Sequence, residues 1–199
     1  HPWGGGGTWS FKLDDPKHIL NQAFKGRGFW HKDEIYQYKP ETYVGGDKLR
    51  VLVSLDLNTE QTMKPLNRNE GLKKQYTEGG RTVPVSWIRT FEGGRVFYTN
   101  LGHNASTYWN PAVLQHYLDG LQYALGDLTA DATPSSKITR EEVLAPPRSR
   151  LGQAHQGRAH SGGKAENSAT TRCASSMMMF WRGNRPRPSI WLISELPTP

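Results

Sequence analysis

The sequence predicts an α/β domain followed by a tail that does not pack, and three observations lead to this prediction. Leu49–Leu55 is a leucine-rich and β-branched run typical of a buried strand. Val83–Thr90 and Arg95–Asn100 are two further strand patterns, and the Glu92-Gly93-Gly94 segment between them is a hairpin signal. A helix pattern then spans residues 110–126.

The predicted helix carries a signal at each end. Asn110 can cap its N-terminus, Pro111 suits the first helical position, and Gly126 can close its C-terminus. Between these ends, apolar side chains recur at helical spacing and predict one face made of Val113, Leu114, Tyr117, Leu118, Leu121 and Leu125.

The remaining N-terminal segments have weaker patterns. Residues 1–8 form a glycine loop, and residues 9–48 are moderately polar and punctuated by glycine and proline. Residues 58–80 are polar and predict a loop with at most one helical turn.

The character of the chain changes after Thr133. From Pro146 onward it is rich in Arg, Ser, Ala, Gly and Pro, and it shows neither helical nor strand periodicity. We therefore expect a domain at residues 1–133 and a disordered, low-complexity Arg/Ser/Pro-rich tail at residues 134–199. The tail could equally be a natural linker or an out-of-frame C-terminus.

Charge and composition exclude several functions. Residues 1–137 carry 16 basic and 14 acidic side chains, whereas residues 138–199 carry 9 and 4, so the basicity belongs to the tail. A nearly neutral domain without a basic aromatic platform gives no reason to expect nucleic-acid binding. No apolar run is long enough to span a membrane. Cys173 is the single cysteine, which excludes an internal disulfide and a cysteine metal cage, and the compartment stays open.

Two blocks carry a resemblance to a known family. The run Pro84–Arg89 (PVSWIR), followed by Gly94–His103 (GRVFYTNLGH), resembles the C-terminal signature of ThuA-like, or trehalose-utilisation, domains. The similarity extends over residues 1–131, and its other elements are His1-Pro2, Asp33-Glu34-x-Tyr36, Trp109, Pro111 and Tyr123–Asp127.

The resemblance implies a partial flavodoxin-like sandwich, similar to class I glutamine amidotransferases, with helices flanking a mostly parallel sheet. It also implies that this chain is the C-terminal portion of such a domain, without the N-terminal half that holds the glycine-rich turn. Members generally lack the amidotransferase cysteine nucleophile. A second His-Pro of the family is absent here, because Ile19 follows His18.

The function implied by the resemblance is utilisation of trehalose or a related disaccharide. The ligand would be a sugar or a sugar-derived small molecule, such as a keto-disaccharide produced by a partner sugar dehydrogenase. The residues do not reveal the reaction. The alternative is a non-catalytic sugar-binding or interaction domain of a larger multidomain protein, so enzymatic activity is left open.

The candidate catalytic residues start from His103, which follows the Arg95–Asn100 strand at its carboxyl end, where ligands of open α/β sheets gather. A histidine there can act as a general base or a metal ligand, and Gly102 would let a ligand approach. His103 could instead simply brace the loop before the helix.

Asp33 and Glu34 offer carboxylates, and neighbours on an extended segment point to opposite faces. His31 could share a face with Asp33, and such a set suits a divalent metal or an ordinary surface motif. Arg89 could hold a hydroxyl-rich or anionic ligand, or could pair with Glu92.

The candidate substrate-binding residues are His1, Trp3, Tyr36 and Asn100. His1 and Trp3 lie beside four glycines, as expected of a sugar-facing loop or of a structural turn. Tyr36 and Asn100 belong to the motifs that carry the resemblance. Our hypothesis is that His103, Arg89 and one of the two carboxylates converge, with His1 close by.

Overall fold

The computed structural model of the protein describes residues 1–38, 47–78 and 82–139, and also the backbone of 177–182. Its strands are β1 (Thr8–Leu13), β2 (Phe29–Lys32), β3 (Arg50–Leu55), β4 (Pro84–Phe91), β5 (Gly94–Thr99) and β6 (Met177–Arg182). Its α-helices are α1 (Glu60–Met63), α2 (Glu70–Thr77) and α3 (Pro111–Leu125). Short 3-10 helices are Ile19–Phe24, Lys64–Arg68, Ala105–Trp109 and Ser135–Lys137.

The strands form one sheet in the order β2-β1-β3-β4-β5-β6, and every neighbouring pair is antiparallel. The α/β class is right, but the predicted mostly parallel sheet is wrong. All six residues of β3 are buried, because β3 is a central strand between β1 and β4. A continuous apolar run indicates that a strand is buried, but it does not show whether the neighbouring strands are parallel or antiparallel to it.

The predicted hairpin is confirmed in β4 and β5. Phe91 pairs with Gly94, so Glu92 and Gly93 are the two turn residues, with φ of 48° and 76°. Two positive φ values are typical of the type I′ turn, whose twist matches that of the flanking strands.

The helix α3 has the predicted ends. The Asn110 side chain accepts hydrogen bonds from the N–H groups of Ala112 and Val113, and Gly126 adopts a left-handed φ of 97°. The helix packs against β5 and the 3-10 helix Ile19–Phe24. A Cβ on Gly120 would lie 2.4 Å from the Phe97 ring, so glycine is what allows this close approach.

The predicted single face of α3 is wrong. Val113 and Tyr117 are buried, whereas Leu114, Leu118 and Leu125 are 42%, 47% and 44% exposed. The buried side of the helix instead includes polar residues, and the leucines form a second apolar strip that helical periodicity alone could not separate from the first.

Several segments without a clear pattern are nevertheless ordered. The polar segment 58–80 contains α1, the 3-10 helix Lys64–Arg68 and α2, so the predicted loop is wrong there. Asn69 caps α2 by accepting a hydrogen bond from Leu72 N–H. This capping signal is present in the sequence, but the polar composition of the segment led to the prediction of a loop. The segment after the glycine loop forms β1 and β2.

Residues beyond 133 also contribute. Ser135 donates its N–H to the Leu49 carbonyl, and its Oγ accepts from Val51 N–H, so the chain lies along the start of β3. The backbone of Met177–Arg182, within the predicted tail, pairs with β5 as the edge strand β6. The predicted disorder of the rest of the tail falls outside the described residues. None of the helices in the described ranges is both long and apolar enough to cross a membrane.

Candidate functional site

Three segments meet beyond the carboxyl end of β5: the glycine loop, the residues after β2, and the residues after β5. Ile35 N–H donates to the Trp3 carbonyl at 2.8 Å, which joins the first two. The Asn104 side-chain amide donates to the carbonyls of Gly5 at 2.7 Å and Lys32 at 3.0 Å, which ties in the third. Hydrogen bonds across these segments therefore fix the site.

Glu34 and His103 form the chemical centre of this region. The Glu34 Oε2 lies 2.9 Å from the His103 Nδ1, and the side chains are 22% and 43% exposed. The His103 ring lies against Gly5, where a Cβ would come within 2.9 Å of the ring carbon Cδ2. The pair is thus held in place and still open to solvent.

Asp33 points the other way, as expected for neighbours on an extended segment. Its carboxylate is fully buried and accepts four hydrogen bonds. The donors are Gly102 N at 2.6 Å, Asn104 N at 2.8 Å, the Thr107 hydroxyl at 2.9 Å and Glu34 N at 3.0 Å. Asp33 therefore anchors the loop that carries His103, and both of its oxygens are occupied.

His31 supports this anchor from the strand β2. Its Nε2 lies 2.9 Å from the Thr107 hydroxyl, which gives its own proton to Asp33. The ring nitrogen therefore donates and the neutral Nε2–H tautomer is favoured. Burial lowers the pKa of His31, and the Asp33 carboxylate opposes that shift.

Three of the four predicted substrate-binding residues lie in, or contact, the segment that follows Glu34. The His1 ring is 4.7 Å from that of Tyr36, and the His1 Nδ1 accepts from Gln37 N–H at 3.3 Å. Asn100 is fully buried, and its amide nitrogen lies 3.4 Å from the Tyr38 hydroxyl. Among the residues that the structure describes, the buried Asn100 Oδ1 has no hydrogen-bond partner.

Trp3 is not exposed on this surface. Its side chain is fully buried, its indole N–H donates to the Thr62 carbonyl at 2.8 Å, and its ring meets Tyr76 edge-on. Trp3 belongs to the hydrophobic core, because the glycine loop turns its indole inward, and it offers no ring face to a sugar.

Arg89 is not brought to the site either. It pairs with Val96 near the hairpin turn, whereas His103 follows the opposite end of β5. The antiparallel hairpin places the end of β4 beside the beginning of β5, and this separates the two residues. The Arg89 guanidinium instead lies 4.6 Å from the Phe91 ring centroid.

Backbone conformation and close packing explain why residue 102 is a glycine. Its φ is 122°, and a Cβ would lie 2.8 Å and 2.9 Å from the hydroxyls of Tyr108 and Tyr117. These tyrosines fill the space that the sequence suggested for a ligand. Both hydroxyls donate to backbone carbonyls, of Gly102 and Leu101 respectively.

The described residues place no third metal-ligating side chain beside Glu34 and His103. Within the described ranges, no group of three or more His, Cys, Asp and Glu side chains could hold a metal ion. Glu34 and His103 alone would supply two ligands. A groove of about 980 Å³ is lined in part by Thr8, Trp9 and Lys64, and neither Glu34 nor His103 belongs to its lining.

Sequence reasoning missed Thr107, Asn104 and Tyr38. Thr107 and Asn104 serve the Asp33 anchor and lie in a polar stretch that carries no motif. Tyr38 is two residues beyond the Tyr36 of the family motif, and that spacing on an extended segment was the available signal.

The comparisons with known proteins agree with the resemblance. A family model described as ThuA, trehalose utilisation, matches residues 4–124. No curated protein and no solved structure matches the chain.

Proposed function

The chain belongs to the ThuA family, trehalose utilisation, and on that premise we propose that Glu34 and His103 act on a sugar-derived ligand. At the level of the family, the chain has a role in trehalose utilisation. The observation that carries the proposal is the 2.9 Å contact between Glu34 Oε2 and His103 Nδ1.

This contact defines what the imidazole can do. A carboxylate that accepts the Nδ1 proton fixes the tautomer and the orientation of the ring, which leaves the Nε2 lone pair for a substrate. His103 then acts as a general base through Nε2, and Glu34 is its positioning residue. The His103 side chain is 43% exposed, so part of the ring is accessible to a small molecule.

The substrate class follows from this chemistry and from the family. Oxidation of one ring hydroxyl of a disaccharide to a ketone makes the neighbouring C–H bond more acidic, and a base is the group that such a substrate needs. A sugar dehydrogenase would supply the keto sugar. Tyr36 and His1 are the side chains available to contact its hydroxyl groups, whereas Asn100 is fully buried beneath Tyr38 and would act on the ligand only through that residue.

The test uses the full chain with trehalose and a keto derivative of trehalose as probes. Binding is measured by calorimetry, and turnover by following the sugar signals in NMR spectra. His103→Gln should lower turnover of the keto derivative by about 10²–10⁴-fold, and Glu34→Gln by about 10–100-fold. Glu78→Gln is the matched control, because Glu78 is exposed and pairs only with Lys74 among the ion pairs of the described residues.

The outcomes separate the two functional classes. Lost turnover with retained binding supports the general base. Binding that depends on His103, without turnover in the unmodified chain, supports the alternative of a sugar-binding domain. Unchanged binding and turnover in both variants would show that the pair is not the functional site.

A further inference from the structure

The helix α3 has an unusual distribution of polar and apolar residues. After Pro111, the exposed positions among its fifteen residues are Leu114, Leu118 and Leu125. In the same helix, His116 and Asp119 are buried. Surface helices normally turn charged and polar residues outward, so this solvent-facing side resembles a covered one.

The exposed leucines follow a regular spacing. With the half-buried Leu121 they form a leucine stripe, Leu114, Leu118, Leu121 and Leu125, with intervals of four, three and four residues. Alternation of three and four is the pattern of a helix seam that packs against another helix. The stripe carries no charge, because the single charged residue of α3 is the buried Asp119.

We propose that the leucine stripe is the contact surface for a second copy of this chain, through antiparallel pairing of the two α3 helices. A two-fold contact requires a surface that complements itself. An uncharged leucine stripe can pack against its own copy because no like charges face each other. A charged partner would find no countercharge on it. The midpoint of the stripe lies between Leu118 and Leu121, so antiparallel pairing sets Leu118 opposite Leu121 of the second copy.

The size of the surface limits the strength of this dimer. A helix of fifteen residues is about 22 Å long, and a standard interface buries about 800 Å² on each side. Four leucines supply less than this area. Trp109, which is 82% exposed and directly precedes the helix cap, adds apolar surface at the N-terminal end. We therefore expect a dissociation constant in the micromolar range.

The test measures the oligomeric state of the full chain by sedimentation velocity from about 1 to about 100 μM, a range chosen around micromolar affinity. The unmodified chain should shift from monomer to dimer across this range. Leu118→Glu and Leu125→Glu should each raise the dissociation constant at least about 10-fold, because each places a charge in an apolar contact. Phe91→Glu is the matched control, since Phe91 is also 44% exposed but lies at the hairpin turn.

A cysteine experiment tests the direction of pairing. In a Cys173→Ser background, the double variant Leu118→Cys/Leu121→Cys should form a disulfide-linked dimer on mild oxidation, whereas Leu118→Cys alone should not. Efficient cross-linking of the single variant would overturn the antiparallel arrangement. A chain that stays monomeric to about 100 μM, or a dimer that neither glutamate substitution weakens, would overturn the proposal as a whole.

Discussion

Replacing Asp33 with alanine should lower the free energy of unfolding by about 3–5 kcal/mol. The substitution removes the acceptor of four hydrogen bonds, and the N–H of Gly102 and the hydroxyl of Thr107 are buried donors that would lose their partner. Each unsatisfied buried donor costs about 1–3 kcal/mol, and removing one member of a buried charge-assisted network costs about 3–5 kcal/mol. Asp33→Asn should cost less, because it retains one acceptor oxygen.

Urea denaturation followed by tryptophan fluorescence measures this effect. With an m value of about 1.5 kcal/mol per molar, a loss of 3 kcal/mol lowers the unfolding midpoint by about 2 M. Asp127→Asn is the control, because Asp127 is exposed, and it should stay within about 0.5 kcal/mol of the unmodified chain. If Asp33→Ala unfolds as late as this control, the carboxylate does not anchor the loop and the account of the site fails.

Three further changes test other parts of the structure. Burial, followed by the nearby His18, lowers the pKa of His116 to about 4. Between about pH 6.5 and 4 the imidazole therefore takes up a proton in the unfolded chain and not in the folded one, so the free energy of unfolding should fall by about 3 kcal/mol as the pH is lowered over that window. Denaturant titrations measure this fall, and His116→Phe should reduce the dependence of stability on pH. Gly102→Ala should cost about 1–3 kcal/mol in thermal melts, because φ is 122° and two tyrosine hydroxyls occupy the Cβ position; a variant as stable as the parent would contradict this. Trp3→Phe should cost about 1–3 kcal/mol and leave sugar binding unchanged, since the indole is buried and bonded to Thr62; weakened binding would return Trp3 to the site.

The parts of the fold that the sequence predicted are those with local causes. The turn at Glu92 and Gly93 and the cap at Asn110 depend on residues a few positions apart, and both formed as expected. Strand direction in the sheet does not depend on such signals, because β1 pairs with β3 across some forty residues of chain. The resemblance suggested parallel strands, and the apolar run of β3 was compatible with either direction.

In the candidate site, too, some features could be predicted from the sequence and others could not. His103 was expected to converge with one of Asp33 and Glu34, and the Glu34 Oε2 lies 2.9 Å from the His103 Nδ1. The different roles of Glu34 and Asp33 could not be predicted, because alternation places them on opposite faces without showing which face is buried. Arg89 was expected at the site because it ends an apolar strand, but the antiparallel hairpin places that end beside the beginning of β5, away from His103.

The close packing of Gly120 on Phe97 has a consequence for the order of folding. β4, β5 and α3 are contiguous in the chain, so their contacts require little loop-closure entropy and we expect them to form early. His103 lies within this contiguous unit, whereas Glu34 must arrive from residues before it. A refolding chain should therefore protect the amides of α3 from hydrogen exchange before that of Gly102, which Asp33 binds only when the earlier segment docks.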